Sequence, residues 1–142
     1  MVEQPSARGT ILLVEDEPFV ALVAQQVLED HGFMVVVAGH GAAAIDHARD
    51  AFQSGGDGAL LLALVDIGLP DIGGDEVVRT LRGLAPTLPI IIATGYAIEE
   101  IAAEFDGVAR LVMIRKPYDV ATLRGALREV GVAIPEEPDA GA

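Results

Sequence analysis

Hydrophobic residues are arranged along this chain in two alternating patterns. Short continuous apolar runs have the character of central strands covered on both faces. Between them, apolar residues recur every three or four positions, as on one face of a helix. The runs predict five strands, at about 10–14, 33–38, 59–65, 90–93 and 111–114. The periodic segments predict five helices, at about 17–31, 41–52, 75–84, 98–105 and 120–130, with 53–58 as a connection.

Five strands that alternate with five helices indicate an α/β fold, in which helices cover a parallel sheet and the crossovers are right-handed. On the first helix, four apolar residues share the spacing of one face and are expected to pack in the core: Val20, Val23, Val27 and Leu28. In sheets of this kind, ligands bind beyond the carboxyl ends of the strands, where the strand order reverses.

Polar residues of distinct chemistry follow four of the apolar runs. Glu15 and Asp16 come after the first, Asp66 after the third, and Thr94 after the fourth. The fifth run leads through an arginine to Lys116, the only lysine of the chain. If the runs are neighbouring parallel strands, these groups meet at one edge of the sheet. Carboxylates, a hydroxyl and an ammonium together suit a magnesium ion and a phosphoryl group.

The length of 142 residues and the 51% hydrophobic content predict one compact domain, at 10–131. A flexible N-terminal tail is expected at 1–9 and a disordered acidic C-terminal tail at 132–142. The net charge of −13 disfavours binding to nucleic acids and anionic membranes, because both depend on basic side chains. The chain has no cysteine, no secretory signal pattern and no apolar stretch long enough to span a bilayer, so a cytoplasmic protein is expected.

The order of these motifs resembles that of the receiver domain of two-component response regulators. The resemblance covers about 10–130 and rests on the acidic pair at 15–16, the segment 66–70 (Asp-Ile-Gly-Leu-Pro), Thr94, and the Lys116–Pro117 pair. It implies a flavodoxin-like, doubly wound sheet of five parallel strands in the order 2-1-3-4-5. It also implies a cis peptide bond between Lys116 and Pro117, which proline makes accessible at about 0.5–1 kcal/mol.

The same resemblance implies a phosphoacceptor and a metal site. Asp66 would accept a phosphoryl group from a kinase histidine. Mg²⁺ would be bound by the carboxylates of Asp16 and Asp66 and by the carbonyl of Gly68, with Glu15 bound directly or through water. Two carboxylates about 4 Å apart repel each other by roughly 4 kcal/mol at an effective dielectric constant near 20, so the metal-free site is expected to be strained.

Phosphoryl contacts and a switch are implied as well. Lys116, Thr94, the amide of Ile67 and Gly68 would contact the phosphoryl group. Thr94 would move toward it and so change the surface formed by the fourth helix, the fifth strand and the fifth helix. The switch would include two further residues at positions where this chain departs from the common receiver pattern. Met113 replaces the usual aromatic, and Tyr96 belongs to an Ala-Thr-Gly-Tyr segment similar to a subgroup with Phe-Ala-Thr-Gly-Tyr.

The expected partners are a sensor histidine kinase and a histidine phosphotransfer protein, with the chain itself a monomer or weak homodimer. We expect a stand-alone regulatory domain rather than an enzyme. This domain would phosphorylate itself from small donors, dephosphorylate itself, and act through protein contacts or a phosphorelay. Two alternatives remain open at this stage. One is a receiver-like module that is never phosphorylated. The other is a small magnesium phosphatase or nucleotide-binding domain, because 39–44 (Gly-His-Gly-Ala-Ala-Ala) fits a dinucleotide-binding pattern.

Overall fold

The computed structural model describes residues 9–54, 60–95 and 98–134. Five strands form one sheet, in which every pairing is parallel and the strand order is β2-β1-β3-β4-β5. The strands are β1 Thr10–Val14, β2 Met34–Ala38, β3 Leu60–Asp66, β4 Ile90–Thr94 and β5 Leu111–Arg115. The helices are α1 Pro18–Asp30, α2 Gly41–Ser54, α3 Gly74–Leu84, α4 Ile98–Glu104 and α5 Val120–Glu129. The predicted flavodoxin-like fold and strand order are confirmed.

The sheet separates two layers of hydrophobic core. Alternate residues of β1 show this arrangement: Ile11 and Leu13 pack with α1 and α5, whereas Leu12 and Val14 pack with α2 and α3. Because helices cover both faces, the central strands need apolar residues at every position. This is why the strand segments read as unbroken apolar runs in the sequence.

Element boundaries differ slightly from the prediction, and the differences concern the site. Asp66 and Thr94 are the last residues of β3 and β4 rather than the residues that follow them. Helix α2 continues through Ser54, so the predicted connection at 53–58 starts later than expected. Residues 55–59, which include the rest of that connection and the predicted first residue of the third strand, lie outside the described residues.

The face of α1 that meets the core is only partly the one predicted, since Leu28 is fully buried and Val27 packs against the core. Val23 is 57% exposed, and Val20 and Val27 are only partly buried. The buried positions are Ala21, Ala24 and Leu28. Two of these three positions are alanines, so the core face is centred one residue away from Val23. The prediction for Val23 was therefore wrong, because the spacing of the larger apolar residues does not show that alanines occupy the core face.

The packed part of the chain extends beyond residue 131. Gly131 has a left-handed backbone conformation (φ +95°) at the end of α5, and the amide of Val132 donates to the carbonyl of Leu127 at 2.9 Å. Val132 is buried in the core layer below α5, and Ile134 packs partly against it. The predicted end of the domain at residue 131 is therefore too early, because Val132 and Ile134 still pack against the core. The two tails, at 1–8 and 135–142, lie outside the described residues.

Helix α3 begins against the backbone of the strand that carries Asp66. A Cβ atom on Gly74 would lie 2.6 Å from the Asp66 carbonyl oxygen and 2.5 Å from the Ile67 Cα atom, and neither backbone atom can move freely. We expect Gly74→Ala to lower the free energy of unfolding by about 1–3 kcal/mol, measured by denaturant titration.

The matched control is Gly83→Ala near the end of the same helix, where nothing lies within 4 Å of the added Cβ atom. That substitution should instead stabilise the protein by about 0.5–1 kcal/mol. Equal effects of the two alanines would contradict the close approach at Gly74.

Within 9–54, 60–95 and 98–134, none of the helices is both long and apolar enough to cross a membrane.

Candidate functional site

The carboxyl ends of β1, β3 and β5 bring three acidic residues and the single lysine together. One carboxylate oxygen each of Glu15, Asp16 and Asp66 lies within 4.8 Å of the others. The Nζ atom of Lys116 donates to Glu15 Oε2 at 3.2 Å and to Asp66 Oδ2 at 3.1 Å. The structure therefore assembles the acidic cluster and the ammonium that the sequence predicted at this edge.

Asp66 is held at the centre of this cluster by the sheet. It ends β3, which lies between β1 and β4, and it is only 6% exposed. Its Oδ1 atom accepts a hydrogen bond from the Gly68 amide at 3.0 Å, while Oδ2 faces the ammonium of Lys116. The next amide, that of Ile67, donates to the Ala93 carbonyl at 3.0 Å and extends the sheet ladder.

This last bond corrects one expectation. The amide of Ile67 was expected to contact a phosphoryl group, but it is already engaged by β4. The amide that faces the carboxylate is that of Gly68, one residue further along the chain. Sequence position alone could not distinguish the two, because the ladder continues one residue past the strand.

The two acids after β1 occupy different environments. Glu15 is 3% exposed and accepts a bond from the Glu17 amide at 3.3 Å, in addition to the bond from Lys116. Asp16 is partly exposed and lines the pocket above the cluster. That pocket has a volume of about 270 Å³ and is lined by Asp16, Glu17, Asp66, Gly68, Gly95 and Lys116. Glu15 thus lies beneath the pocket, and Asp16 lies on its wall.

Burial and mutual repulsion shift the titration of this cluster. Burial, followed by the nearby charge of Asp66, raises the pKa of Glu15 from 4.5 to about 7, although Lys116 opposes the shift. Burial and a hydrogen bond with Asp66 raise the pKa of Asp16. Desolvation acts to lower the pKa of Lys116, but its bonds and charge interactions with Asp66 and Glu15 outweigh it and raise the pKa overall. The site is thus more negative than one ammonium can neutralise.

The donor set fits a hard divalent cation. Three carboxylates and one ammonium carry a formal charge of −2 when all are ionised, and the three clustered acids offer only oxygen ligands. Mg²⁺ prefers such ligands, whereas most transition metals favour imidazole or thiolate. Glu15, Asp16 and Asp66 therefore fit the expected metal.

Thr94 and Met113 lie close to the site along the sheet. In the pairing of β3 with β4, Asp66 is opposite Ala93, so Thr94 is one residue further toward the pocket. Thr94 is fully buried, and its carbonyl accepts a bond from the Lys116 amide at 2.8 Å. Met113, in β5, is opposite Ile92 of β4 and packs partly against the core. Tyr96, the third predicted switch residue, lies outside the described residues.

The peptide bond between Lys116 and Pro117 is cis, as the resemblance implied. Two residues that line the pocket were not predicted to do so: Glu17 and Gly95. Each directly follows a predicted site residue, Asp16 or Thr94, and this adjacency was the only feature of the sequence that could have indicated their place in the pocket.

The parallel α/β sheet and the acidic pocket at the carboxyl end of its central strand match what the resemblance to receiver domains implied. The sequence model described as the response regulator receiver domain matches residues 11–128, and the chain belongs to this family. It is therefore a regulatory domain of two-component signalling rather than a conventional enzyme. Receiver domains interact with histidine kinases in these systems.

Similar proteins include both regulators and a kinase. The chain is 33% identical to the uncharacterized transcriptional regulatory protein YkoG of Bacillus subtilis, over 87% of this chain and 53% of YkoG. It is 27% identical to the sensor kinase CckA of Brucella abortus, over 88% of this chain but 13% of that protein. The chain thus spans about half the length of YkoG and a small part of CckA.

Solved structures of receiver domains have the same fold as this chain. A response regulator receiver protein from Sinorhizobium medicae aligns with a TM-score of 0.74 and 32% identity, covering 88% of this chain and 94% of that one. A CheY-like receiver domain protein from Methanospirillum hungatei aligns with a TM-score of 0.73 and 29% identity, covering 85% and 91% of the two chains.

Proposed function

We propose that this chain accepts a phosphoryl group on Asp66 from a histidine of a sensor kinase, in a reaction that depends on Mg²⁺. The observation that supports this best is the contact of the single lysine with both Asp66 and Glu15 beside a third carboxylate. A cation and an acidic cluster beneath an open pocket provide a nucleophile, a metal site and a compensating charge in one place.

The reaction is a displacement at phosphorus. A carboxylate oxygen of Asp66 attacks the phosphorus atom, the bond from phosphorus to the histidine nitrogen breaks, and that nitrogen keeps the electron pair. The leaving ring carries a proton on its other nitrogen, so the products are an acyl phosphate on Asp66 and a neutral kinase histidine. Because an anionic nucleophile approaches an anionic group, the surrounding residues must offset the repulsion.

The chain's own residues supply three kinds of contact. Asp16, Asp66 and the carbonyl of Gly68 would hold Mg²⁺, with Glu15 bound directly or through water, and the bound metal would neutralise phosphoryl charge. Lys116 would exchange its bond with Asp66 Oδ2 for one with a phosphoryl oxygen. The Gly68 amide, which already faces Asp66, would donate to another.

The hydroxyl of Thr94 is proposed as the third phosphoryl donor and the start of the switch. Thr94 is fully buried at the end of β4, one residue beyond the partner of Asp66, and it would move toward the acceptor. Met113 and Tyr96 are proposed to respond, so that the surface near β5 changes in the phosphorylated state. Output would then pass through protein contacts or a phosphorelay, because a chain of charge −13 is poorly suited to nucleic acids.

Incubation with acetyl phosphate tests the proposal without any partner. In the presence of Mg²⁺, the intact mass should increase by one phosphoryl group, and a chelator should prevent the increase. A protein that binds Mg²⁺ but never gains this mass would contradict the proposed function and favour an interaction module that is not phosphorylated.

The raised pKa of Glu15 predicts opposite pH dependences for stability and metal binding. A protonated Glu15 stabilises the metal-free fold, and this contribution is complete below its ordinary pKa of 4.5 and is lost as the pH rises through about 7. Mg²⁺ requires the ionised form, so its affinity should increase as the pH is raised from about 6 to about 8.

Both trends can be measured on one pair of proteins. Denaturant unfolding without metal should show stability falling between about pH 5 and about pH 7.5, and calorimetric titration with MgCl₂ should show affinity rising. Both slopes should be weaker in Glu15→Gln. If Glu15→Gln kept the wild-type dependence of stability and Mg²⁺ affinity on pH, the assignment of these two trends to Glu15 would be wrong.

The first turns of α1 provide a docking surface for the proposed kinase. Phe19 and Leu22 are 79% and 58% exposed, and α1 begins directly after Glu17, which lines the pocket. Large apolar residues exposed beside a reactive pocket are typical of a protein–protein contact. We expect Phe19→Glu to slow transfer from a kinase that phosphorylates the wild-type chain by at least about tenfold, without affecting phosphorylation by acetyl phosphate.

Met34→Glu is the matched control. Met34 is 59% exposed, but it pairs with Thr10 at the amino end of the sheet, away from the pocket. Radiolabel transfer assays should show normal transfer for this variant. Equal losses for Phe19→Glu and Met34→Glu would contradict docking on α1.

A further inference from the structure

The loop between β3 and α3 carries Gly68, the residue whose carbonyl is proposed as a metal ligand. Its two ends are fixed by the backbone, since the Ile67 amide bonds to Ala93 and the Gly74 amide bonds to the Ile67 carbonyl at 3.2 Å. Between these points the loop includes two glycines, Gly68 and Gly73. The Gly68 amide donates to Asp66 Oδ1 at 3.0 Å. Glycine loses more conformational freedom on ordering than any other residue, so a second anchor further along the loop would restrict the Gly68 carbonyl more closely.

Asp71 provides that anchor by reaching across to α2. Its Oδ1 atom accepts a bond from the Gly41 amide at 2.8 Å, and its Oδ2 atom accepts one from the Ala42 amide at 3.0 Å. These amides are the first two of helix α2. They lower the pKa of the Asp71 carboxyl, so the side chain is ionised at neutral pH and forms charge-assisted bonds.

The first turn of α2 is fully satisfied only with this contribution from the loop. The third amide, of Ala43, donates to His40 Nδ1 at 3.3 Å, and the fourth, of Ala44, donates to the His40 carbonyl at 3.2 Å. The bond of Ala44 is the first i→i−4 bond of the helix ladder, so the three amides from Gly41 to Ala43 need partners from outside the ladder. The His40 side chain supplies one of these partners, and Asp71 supplies the other two.

The close approach of the loop depends on Gly41. A Cβ atom at Gly41 would lie 2.8 Å from the Cβ atom of Ile72, so only glycine admits the loop at this distance. The glycine-rich segment 39–44 is therefore explained by the contact with Asp71. It does not present free amides to a dinucleotide, because Asp71 occupies the positions that a phosphate would take.

We propose that Asp71 is a positioning residue for metal binding: its bonds to α2 hold the β3–α3 loop so that the Gly68 carbonyl faces the acidic cluster. This inference rests on the proposed function, because it concerns the affinity of the same Mg²⁺ site. Leu69 and Ile72 pack partly against the core, and Asp71 adds directional bonds that fix the loop between them. Fixing a ligand group before binding removes an entropic cost that binding would otherwise carry.

Calorimetric titration with MgCl₂ separates this role from simple helix capping. We expect Asp71→Ala to raise the Kd for Mg²⁺ about tenfold, the size of a typical coupling between linked sites. The rate of phosphorylation by acetyl phosphate should fall at low Mg²⁺ and return to the wild-type value at saturating Mg²⁺. The variant should also unfold at lower denaturant concentration, since α2 loses two amide partners.

The double variant Asp71→Ala/His40→Asp is the decisive comparison. An aspartate at position 40 offers a local carboxylate to the start of α2, so the denaturant midpoint should recover toward the wild-type value. The Kd for Mg²⁺ should remain weak, because the loop is still untethered. An unchanged Kd in Asp71→Ala, or a Kd that recovers together with stability in the double variant, would overturn the inference. A wild-type chain that fails to bind Mg²⁺ would overturn the metal site itself, and this inference with it.

Discussion

Asp66→Asn is expected to abolish phosphorylation of this chain and, at the same time, to stabilise its metal-free form. The amide that replaces the carboxylate is not a nucleophile toward phosphorus, so no acyl phosphate can form. The same substitution removes one of the three carboxylates whose ligand atoms lie within 4.8 Å of each other. The formal charge of the cluster with its lysine changes from −2 to −1, which relieves repulsion between Asp66 and the other two acids.

The gain in stability should be modest. Asp66 also accepts a bond from Lys116 at 3.1 Å, and asparagine can keep a neutral version of that bond through its carbonyl oxygen. We therefore expect an increase of about 1–2 kcal/mol in the free energy of unfolding without metal, less than the roughly 4 kcal/mol of one unscreened carboxylate pair. Added Mg²⁺ should stabilise the wild-type chain and have little effect on Asp66→Asn, because a metal ligand is lost.

Intact mass after acetyl phosphate treatment and denaturant unfolding test these two expectations on the same samples. Asp106→Asn is the matched control, since Asp106 is an exposed aspartate near the end of α4 and far in sequence from the acidic cluster. It should be phosphorylated like the wild type. Persistence of the phosphoryl mass in Asp66→Asn would place the acceptor elsewhere and refute the assignment.

Lys116→Ala is expected to slow phosphorylation of Asp66 by about 10²- to 10³-fold, the range typical for loss of one preorganised charge contact in a transition state. Lys116 contacts both Asp66 and the buried Glu15, so it is the cation already in place at the acceptor. Its removal also leaves Glu15 and Asp66 without their shared donor. A lower unfolding free energy should therefore accompany the slower reaction.

Two further variants show whether charge alone is sufficient. Arg115→Ala removes the neighbouring exposed cation and should leave the rate unchanged, because Arg115 lies outside the pocket lining. Lys116→Arg keeps the charge but replaces a compact ammonium with a planar guanidinium, and it should remain impaired. The single-turnover rate of phosphorylation at saturating Mg²⁺ would be measured for Lys116→Ala, Arg115→Ala and Lys116→Arg. A wild-type rate and response in Lys116→Arg would show that the role given to the ammonium is wrong.

The sequence predicted the fold and most of the site because both depend on strand ends. Unbroken apolar runs identified the strands, and a parallel arrangement necessarily gathers the residues that end them. Asp66, Asp16 and Lys116 could therefore be placed together without coordinates. The errors arose where a tertiary contact decided the outcome. Val23 is exposed because Ala21, Ala24 and Leu28 form the core face of α1, and the Ile67 amide is engaged because the ladder with β4 extends past the strand.

Asp71 illustrates what sequence patterns could not supply. Helix capping is normally recognised from residues directly before the helix, but Asp71 caps a helix that begins 30 residues earlier in the chain. The segment 39–44 carried a signal in its two glycines, but from the sequence that signal could be compared only with a nucleotide-binding pattern. Only the position of the β3–α3 loop against Gly41 distinguishes the two explanations.

Asp66 is proposed to accept a phosphoryl group within a pocket formed by its acidic neighbours and Lys116. A crystal structure of the chain with Mg²⁺ and beryllium trifluoride, a stable analogue of the phosphoryl group, would test this proposal directly. We expect beryllium bonded to a carboxylate oxygen of Asp66, with Mg²⁺ on Asp16, Asp66 and the Gly68 carbonyl and with fluorine contacts from Lys116 and Thr94. Beryllium on another side chain, or a metal bound away from Asp16 and Asp66, would contradict it.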